Sequence, residues 1–136
     1  MIILFTDAEL RYLAEHPLGR LATIDPDGNP QLTPVTFRVN PDSGTIDIGG
    51  PVFTRSRKFR NAKANPRVAF VVDGHSVAPN EYGQTGQGIE IRGRAEIVTL
   101  DPPLMAFFDA ESLRIRPRRI VAWNIEGAGY NARDAT

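Results

Sequence analysis

The sequence predicts a mainly β (α+β) fold: six strands closing into a small antiparallel barrel, with short flanking helices. Three observations lead there. Short segments of apolar alternation recur along the chain. Turn signals such as "PDGN" (26–29) and "NPDSG" (40–44) separate them. Helical periodicity is confined to brief stretches, and strands joined mainly by hairpins favour a barrel over a doubly wound sheet. The length of 136 residues fits one domain, expected over 1–126, with a flexible tail over 127–136.

The elements follow in order. "TDAEL" starts a helix: Thr6 caps the free amides, Glu9 completes a capping box, and Pro17 ends the helix. "GRLATID" (19–25) and "QLTPVTFRV" (31–39) are strands flanking the first turn, and Pro34 makes the second of them an edge or bulged strand. "TIDIGG" (45–50) is a third strand. A helix capped by Thr54 runs to Ala64, with Phe59 and Ala62 on its buried face and Asn65-Pro66 as its stop. "RVAFVVD" (67–73) is a dense apolar strand suited to burial on both sides. Residues 74–87 form a long irregular loop. "GIEIRGRAEIV" (88–98) sets Ile89, Ile91 and Gly93 against Glu90, Arg92 and Arg94. "DPPLMAFFDAESLRI" (101–115) suggests a second short helix, and "RRIVAWNIE" (118–126) a last strand.

Composition excludes several functions. Sixteen acids balance sixteen bases, which argues against bulk binding to nucleic acid or membranes. There is no cysteine, hence no thiolate chemistry, and two histidines are too few for a typical zinc cluster. No apolar run is long enough for a membrane span, and the start "MIILFTDAEL" carries an acid where a signal peptide continues apolar. A cytoplasmic protein is the expectation.

Against that neutral background, "PVFTRSRKFRNAKANPRVAF" (51–70) concentrates Arg55, Arg57, Lys58, Arg60, Lys63 and Arg67 without one acid. Such a run either keeps a helix face wet or holds an anion. The hydroxyls of Thr54 and Ser56, the free amides of the first turn and the helix dipole all favour an anion at its start. A second basic cluster, Arg114, Arg116, Arg118 and Arg119, is either a charged strand edge or a contact for an acidic cofactor tail.

"GRLATIDPDGNPQLTPVTF", "TRSRKFRNAKANPRVAFVV", "IRGRAEIV" and "RRIVAWNI" together resemble the split β-barrel flavin and deazaflavin oxidoreductases, relatives of pyridoxamine 5′-phosphate oxidase. The resemblance covers roughly residues 4–126, and "RSRKFRN-NPRV" with the terminal "AWNI" is most similar to the actinobacterial branch that depends on coenzyme F-420. It implies an FMN-binding split barrel and a homodimer with the cofactor at the subunit interface. It also implies a phosphate site at Thr54, Arg57 and Lys58, with Arg55 and Ser56 as extras, and a ring-binding strand at Pro34, Val35, Thr36 and Phe37. Trp123 matches a late strand that approaches the cofactor across the dimer. No pyridoxine-phosphate substrate motif accompanies these blocks.

The resemblance implies an F-420-dependent oxidoreductase acting on a small organic acceptor, with FMN as the alternative cofactor. The chemistry then belongs to the cofactor, and no acid–base pair is evident in the sequence. Tyr82 and His75 are candidate proton donors, but no catalytic residue is assigned. A second reading is a binding protein that sequesters a flavin, deazaflavin or tetrapyrrole without turnover. A barrel for single-stranded nucleic acid fits least, since only Phe59 interrupts the basic run.

Overall fold

Local chemistry starts the fold. The computed structural model describes residues 4–135; the apolar start Met1 to Ile3 and the last tail residue, Thr136, lie outside them. Helix α1 spans Asp7–Glu15. The Thr6 hydroxyl accepts from the Glu9 amide at 3.1 Å, and the Glu9 carboxylate accepts from the Thr6 amide at 2.9 Å. Strands β1 (Leu18–Ile24) and β2 (Pro30–Val39) form a hairpin whose turn is held by Asp25, accepting from the Asp27 and Asn29 amides. β3 is Ile46–Gly49, and a 3-10 turn (Phe53–Arg55) leads into α2, Arg57–Ala64. β4 (Arg67–His75), β5 (Gly86–Thr99), β6 (Glu111–Trp123) and β7 (Tyr130–Asp134) follow.

The strands run β3-β2-β1-β4-β5-β6, and β3 pairs back onto β6 through Ile46↔Ile115, Asp47↔Arg114 and Ile48↔Leu113. The result is a closed six-stranded antiparallel barrel, with β7 as one extra strand on β6. Closure satisfies the edges and points alternate residues inward. Leu21, Ile46, Ile48, Phe70, Val72, Ile89, Ile91, Leu113, Ile115 and Ile120 fill the interior. Pro34 lies in the part of β2 that β3 does not reach, because that pairing begins at Thr36. There its missing donor disturbs no β2–β3 ladder bond.

Five expectations need correction. The helix after the basic run is capped by Ser56, not Thr54: the Ser56 hydroxyl accepts from the Phe59 amide at 3.3 Å. Residues 101–110 form turns rather than a helix, and Phe107 has a left-handed φ of 68°. From Glu111 onward the apolar residues Leu113 and Ile115 repeat every second position, a strand period, and β6 begins there. The loop expected over 74–87 is shorter, since β4 and β5 pair out to His75↔Gly86. The tail expected to fray from Gly127 instead pairs as β7, from Arg119↔Asp134 to Trp123↔Tyr130. Finally, "RVAFVVD" is covered on one side only: Val68, Phe70 and Val72 are buried, whereas Ala69 and Val71 lie half-buried on the outer face.

Burial also marks Tyr12 on α1. Its hydroxyl donates to the Gln87 carbonyl at 3.3 Å, and its ring stacks on His16 at 3.9 Å. Burial, then the negative charge of Asp73, pushes this hydroxyl from 10.0 up to about 12. Below pH 10.0 the phenol is protonated in both states; between 10.0 and about 12 the unfolded chain ionises first. Stability carried by Tyr12 is therefore lost as pH rises through that window. Denaturant unfolding of the natural chain and Tyr12→Phe should diverge across it, the variant showing the shallower alkaline decline. Parallel declines would assign the loss to other groups.

Candidate functional site

The β2–β3 ladder links two of the predicted regions. Thr36 pairs with Gly49, and β3 runs directly through Gly50 into the turn that carries Thr54. In β2 the side chain of Val35 is buried in the core and Phe37 packs edge-on against Phe70 at 5.1 Å. What the 34–37 segment can offer a ligand is its backbone, with the Pro34 and Thr36 side chains on the opposite face.

At the start of α2 the Ser56 hydroxyl is engaged as cap, while the first-turn amides of Arg57 and Lys58 have no intrahelical carbonyl to bond, since the residues four back precede the helix. Among the described residues none of Arg55, Arg57, Lys58, Arg60 and Lys63 forms an ion pair. Lys58 sits 5.8 Å from the centre of the Phe53 ring. This donor set suits a phosphate. Thr54 does not join it freely: its amide and hydroxyl both donate to Asp109, at 3.0 and 3.2 Å. Sequence reasoning missed Asp109 by placing it in a helix. The residue itself gave no local signal, since its partner is 55 positions away.

Trp123 takes part in a different surface. It stands opposite Gly88 on β5, and a Cβ at Gly88 would come within 2.5 Å of the indole, so only glycine lets the ring lie down on the sheet. Trp123 then walls a groove of about 280 Å³ with Arg20, Leu32, Val71 and Glu90. Arg20 is held there by an ion pair with Asp73. The groove includes none of residues 34–37 or 54–58, so within one chain Trp123 and the phosphate-type donors do not share a pocket.

The second basic cluster separates residue by residue. Arg114 makes two bonds to the buried Asp47, at 2.8 and 3.1 Å, and that hydrogen bonding raises the guanidinium further above its ordinary value. Arg116 pairs with Glu96 and Arg119 with Asp134. Only Arg118 of the four has no acid partner among the described residues. Of the candidate proton donors, His75 bonds the Thr85 hydroxyl at 2.9 Å and Tyr82 is 74% exposed on the hairpin loop.

A closed barrel of this strand order, with a cation-rich helix start following its third strand in the chain, defines the class. The chain belongs to the pyridoxamine 5′-phosphate oxidase family, whose model matches residues 5–131. It is 42% identical over 136 residues to the 5a,11a-dehydrotetracycline/5a,11a-dehydrooxytetracycline reductase of Streptomyces rimosus, covering 97% of this chain and 94% of that one. Solved structures of the same fold include a heme-binding protein from Mycobacterium smegmatis, with TM-score 0.69 and 17% identity over 98% of this chain and 60% of that one. A FAD-binding protein from Mesorhizobium loti matches with TM-score 0.61 and 21% identity, over 85% and 92% of the two chains. At those identities the structures share the fold alone. No helix among the described residues is long and apolar enough to cross a membrane.

Proposed function

We propose that this chain is a cytoplasmic oxidoreductase that uses coenzyme F-420, with FMN as the alternative, to move a hydride between the reduced cofactor and a small organic acceptor. The observation that carries the reading is the 42% identity, across nearly the whole of both chains, to a reductase. That relative's name suggests an acceptor carrying a reducible carbon–carbon double bond.

The residues fit such a cofactor in parts. The first-turn amides of α2, with Arg57 and Lys58, would hold the phosphate; Arg55 and Ser56 flank it. Thr54 would join only if Asp109 releases its two donors. The backbone of Pro34, Val35, Thr36 and Phe37 would face the polar edge of the ring, where fixed amide dipoles offset developing negative charge without an ionisable side chain. When bound, the deazaflavin supplies the hydride from its ring carbon 5. The chain's part is to fix the ring, leave one face open and orient the acceptor. No side chain is assigned to the proton: Tyr82 is exposed, His75 is bonded to the Thr85 hydroxyl, and solvent can supply it.

The site is completed by a second copy. Ala22, Leu32, Ala69, Val71 and Trp123 leave an apolar outer face, with Leu32 65% exposed. Contiguous patches of that kind mark interfaces. A homodimer that covers this face would bring Trp123 of one copy towards the cofactor held by the other. Light scattering should report twice the chain mass at micromolar concentration, and a stable monomer would remove the shared site.

The direct test is titration of the apoprotein with F-420 and with FMN, read by the fluorescence of Trp123, the single tryptophan. Quenching by F-420 in preference to FMN, followed by consumption of reduced cofactor when an unsaturated acceptor is added, is the expected result. Tight binding without consumption across a panel of acceptors would favour a sequestering protein. Quenching by neither cofactor would overturn the reading.

A further inference from the structure

We infer that the outer face of the barrel carries a second binding site, for a small molecule with two or more anionic groups, built around Arg67, Arg94 and Arg118. The site is a groove of about 400 Å³ over β1, β4, β5 and β6, with Ala22 and Ala69 among its lining residues. It includes none of residues 34–37, 54–58 or 123, but it shares Ala22 and Ala69 with the outer face that the proposed dimer covers, so it rests on that dimer leaving Arg67, Arg94 and Arg118 at its margin.

The arrangement is costly unless something binds. Arg67 lies directly opposite Arg94, Arg94 opposite Arg116, and Arg92 opposite Arg119. Like charges directly across a ladder destabilise a sheet. The chain neutralises some of them: Arg92 is chelated by Glu90, Arg116 by Glu96 and Arg119 by Asp134. Arg67, Arg94 and Arg118 have no acid partner among the described residues, in a protein of zero net charge.

Arg118 is brought there by a backbone irregularity. Arg92 pairs with Arg119 and Gly93 with Pro117, so Arg118 is an extra residue with no partner on β5. In regular alternation it would share the inward side of Ile120; the bulge turns it out into the groove. Gly93 makes the bulge possible, since a Cβ there would meet the Arg116 carbonyl oxygen at 2.3 Å. The Arg118 carbonyl is in turn bonded by the Ala135 amide at 2.7 Å. Three guanidinium forks around one groove suit carboxylate or phosphate groups, which they bind in pairs of parallel bonds.

Calorimetry and thermal unfolding of the full chain with citrate, pyrophosphate and acetate, at matched ionic strength, test this. One of the two polyanions should bind at least about tenfold more tightly than acetate and raise the unfolding midpoint; which one does so identifies the anionic group. Arg94→Gln and Arg118→Gln should each weaken that binding about tenfold. In the absence of ligand and at low salt, Arg94→Gln should raise the midpoint, because it relieves repulsion. Should a glutamine variant fail to fold, Arg118→Lys serves instead: it keeps the charge, loses the fork, and should still weaken binding. Polyanions no better than acetate, or binding unchanged in the variants, would overturn the site. So would variants that alter the mass in solution without affecting anion binding, because the arginines would then face a second copy of the chain.

Discussion

Replacing Arg133 by alanine is expected to cost about 3–5 kcal/mol of folding stability, the range for stripping one partner from a buried ion pair. Glu9 is fully buried at the start of α1, and Arg133 reaches it from β7 with both terminal nitrogens. One contact is 2.8 Å, and a third bond goes to the Leu4 carbonyl at 2.8 Å. Without the guanidinium, the Glu9 carboxylate keeps only its capping bond to the Thr6 amide and remains out of water. Pairing Arg133→Met with Glu9→Gln should recover most of the loss, because the desolvated charge then goes too. Urea unfolding of the two variants measures both effects. A loss below about 1 kcal/mol in the single variant would mean that water reaches Glu9 and that the pair behaves as a surface bridge. The effect should extend to the groove, since β7 flanks Trp123 through Tyr130. A red shift of the Trp123 emission in Arg133→Ala would show it.

The basic helix should divide into two classes. Arg57→Ala or Lys58→Ala should weaken binding of a phosphate-bearing cofactor by about 1.5–3 kcal/mol, the range for hydrogen bonds to charged groups. That is on the order of ten- to a hundredfold in affinity. Arg60→Ala and Lys63→Ala should cost less than about 0.5 kcal/mol, because the dipole and free amides act only within the first turn and solvent screens the rest. The structure adds a third arm. Asp109 holds both donors of Thr54, placing a carboxylate beside the proposed phosphate position. Asp109→Asn removes that competing charge and should tighten binding, whereas Thr54→Ala should cost less than Lys58→Ala. A cofactor lacking its phosphate should bind all these variants alike. Equal losses from Arg57, Lys58, Arg60 and Lys63 would mean a diffuse basic face, and the phosphate assignment would be withdrawn.

The features legible in the sequence are those whose partners are near in the chain. Thr6 and Glu9 are three positions apart, so their capping box can be read directly, and the Asp25 turn and the two-sided alternation of β5 follow equally local rules. The same reasoning failed over 101–115. There a few apolar residues fit a helical period until Leu113 and Ile115 are seen to face the barrel interior. It also put the cap at Thr54, because the competitor for its hydroxyl, Asp109, is distant in sequence.

The sequence by itself determined the barrel class, the order of its hairpins and the concentration of cations at the start of α2, since periodicity, turn chemistry and charge are local properties. Tertiary structure alone decided the rest. It closed β3 onto β6, locked the chain end to α1 through Glu9 and Arg133 across 124 positions, and left Ala69 and Val71 uncovered on the outer face. It also sorted four equivalent-looking arginines into three paired ones and Arg118. Each of these depends on which residues meet across strands, and a single extra residue in β6 changes that register, so no local pattern contains it.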